Sequence, residues 1–421
     1  MQQQQPSRRT FLSGSALAGA TTFMIVKPEL VRGSAPAKVK AGLIGCGARG
    51  TQAVIDMLNG DPAAELVAMA DIFEDQLEGN LRRLRSDPKL AEFQDRISVS
   101  PEMHFVGFDA YQKLINAPVD VVMLATPPGW RPIHFEAAIE AGKHVFCEKP
   151  FGTDCMGVQR FMRAAKKSIE KKLTVVSGAQ RRSDPAYLTE VAKLHNGDYG
   201  EVQALYAYWV GTPVVQPQPP NLTVNDLDYM HRRWYSYVWL CGDQVVEQHL
   251  HNIDVCCWIM KTHPVKAIAM GGANFRPTQD AQSNIYDHLA ADFEFANGVR
   301  MSSYCRQFPR ECAQRVSEQV VASKSRLTLN QTRGGPGYVN EHTKLMKSIR
   351  GEGPWINESM DVAESTMTCI MAREAAYSGM EITWDMVMQS KQNLMPDESK
   401  WDYKSKLEAT PIPIPGTYKF S

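Results

Sequence analysis

The feature that most constrains the fold is an apolar segment ending in three closely spaced glycines. Residues 39–44 read VKAGLI, and a helical stretch follows at 51–58. The turn between them contains Gly45, Gly47 and Gly50, with Ala48 and Arg49 before the last. In such a turn the glycines permit the sharp bend, close approach to a pyrophosphate and tight helix–strand packing, with phosphates at the helix N-terminus. The pattern predicts a Rossmann dinucleotide-binding domain.

A second apolar strand identifies the preferred cofactor. Residues 66–70 read LVAMA and end in Asp71, about 20 residues after Gly50. A carboxylate at this position accepts hydrogen bonds from ribose hydroxyls and repels a 2′-phosphate, so Asp71 favours NAD over NADP. The alternative is a surface aspartate that follows a plain glycine turn.

The next apolar segments extend the same pattern. Strands at 121–125 and 143–147 flank a helix at 133–141. Continuous apolar strands that alternate with helices predict a parallel sheet covered on both faces. Ligands bind at the carboxyl ends of such strands. The residues that follow these two ends are Thr126, Pro127 and Glu148.

Composition excludes several classes of protein. The chain has 421 residues, of which 43% are hydrophobic and 22% charged, as in a globular protein of two domains. Lys plus Arg equals Asp plus Glu at 46 each, so no broad basic field favours nucleic acid or an anionic membrane. The nine cysteines form no CxxC framework, and no metal site is expected. A small molecule is the expected partner.

The amino-terminal segment resembles a twin-arginine export signal. Ser7-Arg8-Arg9 precedes an apolar run at 14–26 and an A-P-A sequence at 35–37, and this run is too short for a membrane span. The resemblance implies passage through the twin-arginine translocase and a periplasmic or otherwise exported protein. A basic tail is the alternative.

The predicted domain organisation follows from these segments. Residues 1–37 form the export signal, 38–153 the Rossmann domain, and 154–421 an α/β domain for substrate binding and oligomerisation. The last is expected to contain a large, open, mainly antiparallel sheet. Its predicted strands lie near 173–177, 264–271, 287–295, 299–305 and 318–330, and its predicted helices near 155–170, 339–349 and 359–378.

Residues 141–150 carry a family resemblance. They read AGKHVFCEKP, which resembles the aGkHVxxEKP signature of the glucose-fructose oxidoreductase / inositol dehydrogenase / MocA (Gfo/Idh/MocA) family. The resemblance implies that Lys149 contacts both the substrate hydroxyl and the nicotinamide region, and that the peptide bond before Pro150 is cis. An ammonium there stabilises a developing alkoxide. A solvated surface lysine is the alternative.

A second stretch supplies the expected proton acceptor. Residues 242–258 read GDQVVEQHLHNIDVCCW. On a continuous helix Glu247, His251 and Asp254 share one face, whereas His249 points elsewhere. The stretch resembles the family's D-x-x-x-H-x-x-D helix, which implies that His251 is the catalytic base and that Glu247, in place of the family's aspartate, assists it. A structural histidine and an E-x-H-x-H metal site are the alternatives.

Aromatic and cationic residues predict the substrate wall. A Pro- and Gln-rich segment at 211–225 is expected to be a loop, and residues 226–240 combine Trp, Tyr, Arg and His. Sugars pack their C–H faces on aromatic rings, although oligomer contacts favour the same residues. The substrate-binding candidates are Arg182, Tyr235, Trp239, His249, Asp254 and Tyr304. For Arg182, a structural salt bridge is an equal alternative.

The combined pattern predicts an NAD(P)-dependent oxidoreductase that acts on a secondary hydroxyl of a sugar, glycoside or cyclitol. One alternative, known among the family's relatives, is an NAD-dependent glycoside hydrolase that works by transient oxidation, elimination, hydration and re-reduction. A second alternative is a non-catalytic, cofactor-binding sensor or structural subunit. Family analogy implies a homo-oligomer, either a dimer or a tetramer.

Overall fold

Two β-sheets organise residues 37–223, 226–403 and 405–421, which are the residues that the computed structural model describes. The arginine pair and apolar run of the expected export signal lie outside them. The strands are β1 (Val39–Ile44), β2 (Ala64–Asp71), β3 (His104–Val106), β4 (Val121–Leu124), β5 (His144–Cys147), β6 (Val175–Ser177), β7 (Val202–Gly211), β8 (Lys266–Gly272), β9 (His288–Glu294), β10 (Arg300–Gln307), β11 (Arg315–Ala322), β12 (Arg326–Leu329) and β13 (Ile382–Thr383).

Helices connect and cover these strands. They are α1 (Ala48–Gly60), α2 (Glu74–Ser86), α3 (Ala110–Ile115), α4 (Arg131–Glu140), α5 (Cys155–Glu170), α6 (Pro185–His195), α7 (Leu227–Arg232), α8 (Val238–Cys241), α9 (Gln244–Glu247), α10 (Leu250–Met260), α11 (Arg276–Gln279), α12 (Gly337–Arg350), α13 (Ser359–Ser378) and α14 (Trp384–Gln389). No helix in the described part of the chain is both long enough and apolar enough to cross a membrane.

The first sheet is the predicted parallel sheet. Its strand order is β3-β2-β1-β4-β5-β6, and each neighbouring pair is parallel. The order reverses direction between β1 and β4, which creates the crevice where α/β sheets bind ligands. Because Val175 of β6 pairs with Val145 of β5, the sheet continues beyond the expected domain boundary at residue 153.

Both faces of this sheet are buried, as the continuous apolar strands predict. Leu43, Met69 and Met123 contribute to one hydrophobic core, whereas their neighbours Ile44 and Ala70 contribute to the other. Successive side chains of a strand point to opposite faces, so an uninterrupted apolar strand fills two cores.

The second sheet is mixed but mainly antiparallel. Its order is β12-β11-β7-β10-β9-β8-β13, with β7 and β10 parallel and the other neighbouring strands antiparallel. The expected strand at 318–330 is divided into β11 and β12, because a turn closes by reciprocal backbone hydrogen bonds between Ala322 and Ser325. Helices α10 and α13 pack on one face of this sheet.

Candidate active site

A cavity of about 890 Å³ lies at the carboxyl ends of the first sheet's strands. This volume is typical of sites for small molecules and cofactors, about 300–1,000 Å³. The structure brings every predicted cofactor-binding and catalytic residue to its lining: Gly45, Gly47, Ala48, Arg49, Gly50, Asp71, Thr126, Pro127, Glu148, Lys149, Glu247 and His251. The cavity is therefore lined both by the segment that forms the first sheet and by the later helices that contain Glu247 and His251.

The glycine turn fits a closely approaching ligand. Gly45 has φ +94°, and a β-carbon there would lie 2.7 Å from the Thr126 nitrogen. At Gly50 a β-carbon would lie 2.0 Å from the Gly45 carbonyl oxygen, so neither position accommodates a side chain. For Gly47, no atom of the described residues lies within 4 Å of such a β-carbon. The first and third glycines thus close the turn, while the second leaves its backbone open to the cavity.

Asp71 is fixed by the same turn. Its Oδ2 accepts a hydrogen bond from the Cys46 amide at 2.6 Å, and its Oδ1 accepts one from the Phe73 amide at 2.9 Å. Burial raises the pKa of Asp71 to about 6, against the lowering effect of these amides. The carboxyl group is therefore mostly ionised at pH 7 and oriented at the end of β2.

Arg49 joins the glycine turn to a distant helix, which the sequence pattern did not reveal. Its Nε donates to the buried carboxylate of Glu148, and its terminal nitrogen lies 3.4 Å from Oε1 of Glu341. Its guanidinium also lies 5.0 Å from the Tyr338 ring centroid. Glu341 and Tyr338 belong to α12, so the position of this arginine depends on tertiary packing.

Lys149 and Glu247 form an ion pair beside the cavity. The lysine Nζ donates to Glu247 Oε1 at 2.8 Å and to the Glu247 carbonyl oxygen at 2.6 Å. Both side chains are 12% exposed. The Lys149–Pro150 peptide bond is cis, as the family resemblance implies. The ammonium is thus held in a fixed place on the cavity wall.

The expectation of one continuous helix through 247–254 is wrong. Helix α9 ends at Glu247 and α10 begins at Leu250, with the His249 amide donating to the Gln244 carbonyl at 3.1 Å. This bond spans five residues and interrupts the regular α-helical ladder. Glu247 and His251 still face the cavity, whereas Asp254 accepts two hydrogen bonds of 2.8 Å from Arg182.

His251 is a buried, neutral imidazole at the cavity. Burial, and then the positive charge of Lys149, lower the pKa of His251 well below its usual value of 6.5. Its ring stacks on Trp209 with 5.6 Å between centroids. Its Nδ1 has no hydrogen-bond partner among the described residues. A neutral imidazole at pH 7 is able to accept a proton from a substrate hydroxyl.

The six substrate-binding candidates are not among the described residues that line the cavity: Arg182, Tyr235, Trp239, His249, Asp254 and Tyr304. The ion pair of Arg182 with Asp254 is buried, which fits the structural alternative. His249 Nε2 lies 2.7 Å from the Ser303 hydroxyl, and the Tyr235 hydroxyl accepts from Gln307. Tyr304 is exposed on the second sheet and stacks on Tyr208. Periodicity gave no information about which side of each segment faces the ligand.

Other residues of the predicted wall segment do line the cavity. These are His231, Arg232 and Trp234. Burial lowers the pKa of His231 to about 4, and its Nε2 accepts a hydrogen bond of 2.9 Å from Trp130. Gly178 also lines the cavity, and a β-carbon there would lie 2.4 Å from Glu148 Oε2. A glycine just after β6 was the only sequence signal for this contact.

The cavity's residues fit a dinucleotide. An open glycine amide, a helix N-terminus and an oriented carboxylate lie at one end, while Lys149 and His251 line the same space. NAD, when bound, supplies the hydride acceptor or donor. The chain's own residues place an ammonium and a neutral imidazole in the same cavity.

The sequence comparison assigns the first part of the chain. Residues 39–176 match the Gfo/Idh/MocA oxidoreductase family, described as an NAD-binding Rossmann fold. This segment of the chain is similar to that family. Relatives of the chain include inositol 2-dehydrogenase of Acidothermus cellulolyticus, 25% identical over 62% of this chain and 64% of the relative. The oxidoreductase YrbE of Bacillus subtilis is 24% identical over 48% of this chain and 52% of that protein.

A third relative is more similar over a shorter region. Inositol 2-dehydrogenase of Klebsiella pneumoniae strain 342 is 32% identical over 38% of this chain and 43% of its own length. The chain thus matches about half to two thirds of the first curated relatives.

Solved structures share the fold over a larger region than the Gfo/Idh/MocA domain alone. Scyllo-inositol dehydrogenase from Lactobacillus casei with bound NAD(H) and scyllo-inositol has a TM-score of 0.64 at 17% identity, covering 82% of this chain and 99% of that one. The WlbA dehydrogenase from Bordetella pertussis, in complex with NADH and UDP-GlcNAcA, has a TM-score of 0.63 at 18% identity and covers 82% and 98%. These similarities establish the two-domain fold.

Proposed function

We propose that this chain is an NAD-dependent oxidoreductase that acts on a secondary hydroxyl of a sugar, glycoside or cyclitol. The observation that supports it best is the convergence of Lys149, Glu247 and His251 on the cavity that contains the glycine turn and Asp71. A cavity with the glycine turn and Asp71 but without these three side chains would support cofactor binding and no chemical step.

Each of the three residues has a role that its environment supports. His251, neutral because it is buried beside Lys149, accepts the proton of the substrate hydroxyl. The ammonium of Lys149 stabilises the negative charge that develops on the same oxygen. Glu247 orients Lys149 through its side chain and its carbonyl oxygen. The substrate-binding residues beyond these three stay a prediction.

The test uses the purified chain and a panel of cyclitols, aldoses and methyl or nitrophenyl glycosides. NADH formation is followed by absorbance and the products by mass spectrometry. Loss of two hydrogen atoms from one substrate, with matching NADH, supports the proposal. Absence of NAD(H) binding to the purified chain would exclude the proposal.

Two other outcomes would favour the alternatives. Aglycone release without net NADH would favour the glycoside hydrolase route. Unchanged biological activity of Lys149→Ala and His251→Ala would favour the non-catalytic sensor.

We also propose that the protein is exported by the twin-arginine route. The support is the order Arg8-Arg9, a short apolar run and the A-P-A sequence at 35–37. Periplasmic location of the full chain, lost in the Arg8→Lys/Arg9→Lys variant, is the expected result. Retention of the parent chain in the cytoplasm would contradict it.

We propose that the chain forms a homo-oligomer, either a dimer or a tetramer, in which the second sheet contacts another copy of the chain. Its face opposite α10 and α13 exposes apolar side chains, with Met270 71% exposed. Ile268 and Tyr304 on the same face are also exposed. Apolar patches of this kind mark sites of association. We expect light scattering to give a multiple of the chain mass, and Met270→Lys with Ile268→Lys to shift it towards the monomer.

A further inference from the structure

At the end of the cavity near Asp71, contacts join segments that are far apart in sequence. Asp75 at the start of α2 accepts two hydrogen bonds from Arg232 at the end of α7, of 2.9 and 3.0 Å. The hydroxyl of Tyr403 donates to the Ile72 carbonyl oxygen. We call Asp75, Arg232 and Tyr403 the clasp.

The residues of the clasp belong to the cavity wall or adjoin it. Ile72 and Phe73 line the cavity from the first domain, and Arg232 and Trp234 line it from the other side. The Arg232 guanidinium lies 3.9 Å from the centroid of the Phe73 ring. To widen this end of the cavity, the bidentate ion pair of Arg232 and Asp75 must separate. The Arg232 guanidinium must also move away from the Phe73 ring.

Further contacts anchor Arg232 and the segment that contains Tyr403. Within α7, Asp228 accepts a hydrogen bond of 2.8 Å from Arg232 Nε. The segment that contains Tyr403 is tied to α7, because the Leu227 amide donates to the Ser405 carbonyl at 3.1 Å and Lys406 pairs with Asp226. Arg232 and Tyr403 are thus parts of one connected layer above residues 72–75.

Aromatic contacts add to those of the clasp. The ring of Phe108 lies 5.1 Å from that of Tyr403, and Phe73 lies 6.3 Å from the same ring. These tilted aromatic pairs add to the packing that an opening motion must disrupt. Arg232 also lowers the pKa of Asp75, so both members of the ion pair are charged at neutral pH.

We propose that the clasp slows the release of the nicotinamide dinucleotide. The inference rests on the proposed function, since it requires NAD in this cavity. In Rossmann domains the carboxylate after the second strand binds the adenosine ribose. The clasp therefore restrains the adenosine end, and it leaves the end at Lys149 and His251 free for substrate exchange.

The test measures cofactor release rather than catalysis. The full chain is loaded with NADH, and the decay of protein-bound NADH fluorescence is followed after addition of excess NAD. Asp75→Asn and Arg232→Gln are each expected to release NADH about three- to tenfold faster, and the double variant no faster than the faster single variant. Tyr403→Phe removes a single hydroxyl and is expected to accelerate release to a smaller extent.

A matched control separates the clasp from a general effect of lost surface charge. Arg300 forms a comparable ion pair with Asp292 and Glu294 on the second sheet, outside the cavity lining. Arg300→Gln is expected to release NADH at the parent rate. Release from the parent should also accelerate with salt, and release from Arg232→Gln should respond less, because exposed ion pairs are screened.

The outcomes distinguish the two proposals. Equal release rates for the parent, Asp75→Asn and Arg232→Gln overturn the clasp and leave the proposed function intact. A parent chain that binds no NADH overturns both. Unfolding midpoints of the variants identify any acceleration that follows from loss of the fold, and acceleration in Tyr403→Phe at an unchanged midpoint supports the clasp.

Discussion

The ammonium of Lys149 lies 2.8 Å from the carboxylate of Glu247, although 98 residues separate them in the chain. Lys149 follows the last residues of β5 in the first domain, and Glu247 ends α9. Their ion pair joins the cofactor-binding domain to the helices that contain His251. The catalytic proposal therefore depends on how the two parts of the chain pack.

Replacing Lys149 should remove charge stabilisation with little change in cofactor binding. Lys149→Met is expected to lower kcat/KM by about 10²–10³, the usual effect of losing one preorganised donor to a developing oxyanion. NADH affinity, measured by fluorescence titration, should change much less. Lys113→Met alters a half-exposed lysine on α3 and serves as the control. Near-parent kcat/KM in a folded Lys149→Met protein would exclude the proposed role.

Replacing His251 should remove the proton acceptor. Burial lowers the pKa of His251, so the parent should keep the neutral imidazole down to pH values below 6.5, and the acidic limb of kcat/KM should lie there. His251→Asn is expected to lose about 10²–10⁴ in rate and to lose this limb. His263→Asn changes a histidine stacked on Trp384, outside the cavity lining, and should keep both. An unchanged pH profile in His251→Asn would assign the base to another group.

Substitutions of Gly47 and Gly50 in the glycine turn should have different effects. Gly50→Ala places a β-carbon 2.0 Å from the Gly45 carbonyl oxygen and is expected to destabilise the fold by about 1–3 kcal/mol. The β-carbon of Gly47→Ala meets no atom within 4 Å in the part of the chain that the structure describes, so this substitution should leave stability unchanged and weaken NADH binding. Gly79→Ala lies on α2 in open space and should stabilise the protein slightly. Urea unfolding and NADH titration measure the two effects, and equal behaviour of the Gly47 and Gly50 variants would contradict the assigned roles.

His342 should make the protein sensitive to acid. Burial lowers the pKa of His342 to about 3, and its two ring nitrogens have no hydrogen-bond partner among the described residues. The unfolded chain therefore binds a proton that the folded chain excludes between about pH 6.5 and pH 3, and stability falls as pH falls through this window. Relative to the parent, His342→Leu should gain about 1.4 kcal/mol of unfolding free energy for each pH unit between about pH 6 and about pH 3. Parallel stability curves for the two proteins, from urea unfolding at several pH values, would contradict this.

Much of the first domain was predictable because its constraints are local. An apolar strand, a glycine-rich turn and a carboxylate at the next strand end are each encoded by adjacent residues, and Gly45, Gly50 and Asp71 occupy the expected positions. The parallel sheet followed from continuous apolar strands. By contrast, β6 lies beyond the expected boundary because strand pairing is not encoded in the strand itself.

The sequence by itself determined the chemistry available to this protein: the glycine turn, Asp71, the EKP segment with Lys149, and the histidine at 251. Tertiary structure alone decided which side chains share the cavity. It broke the helix after Glu247, paired Asp254 with Arg182, buried His249 against Ser303 and brought Arg232 over Phe73. The physical reason is that spacing fixes direction only along one regular element, whereas contacts between elements depend on packing across the whole fold.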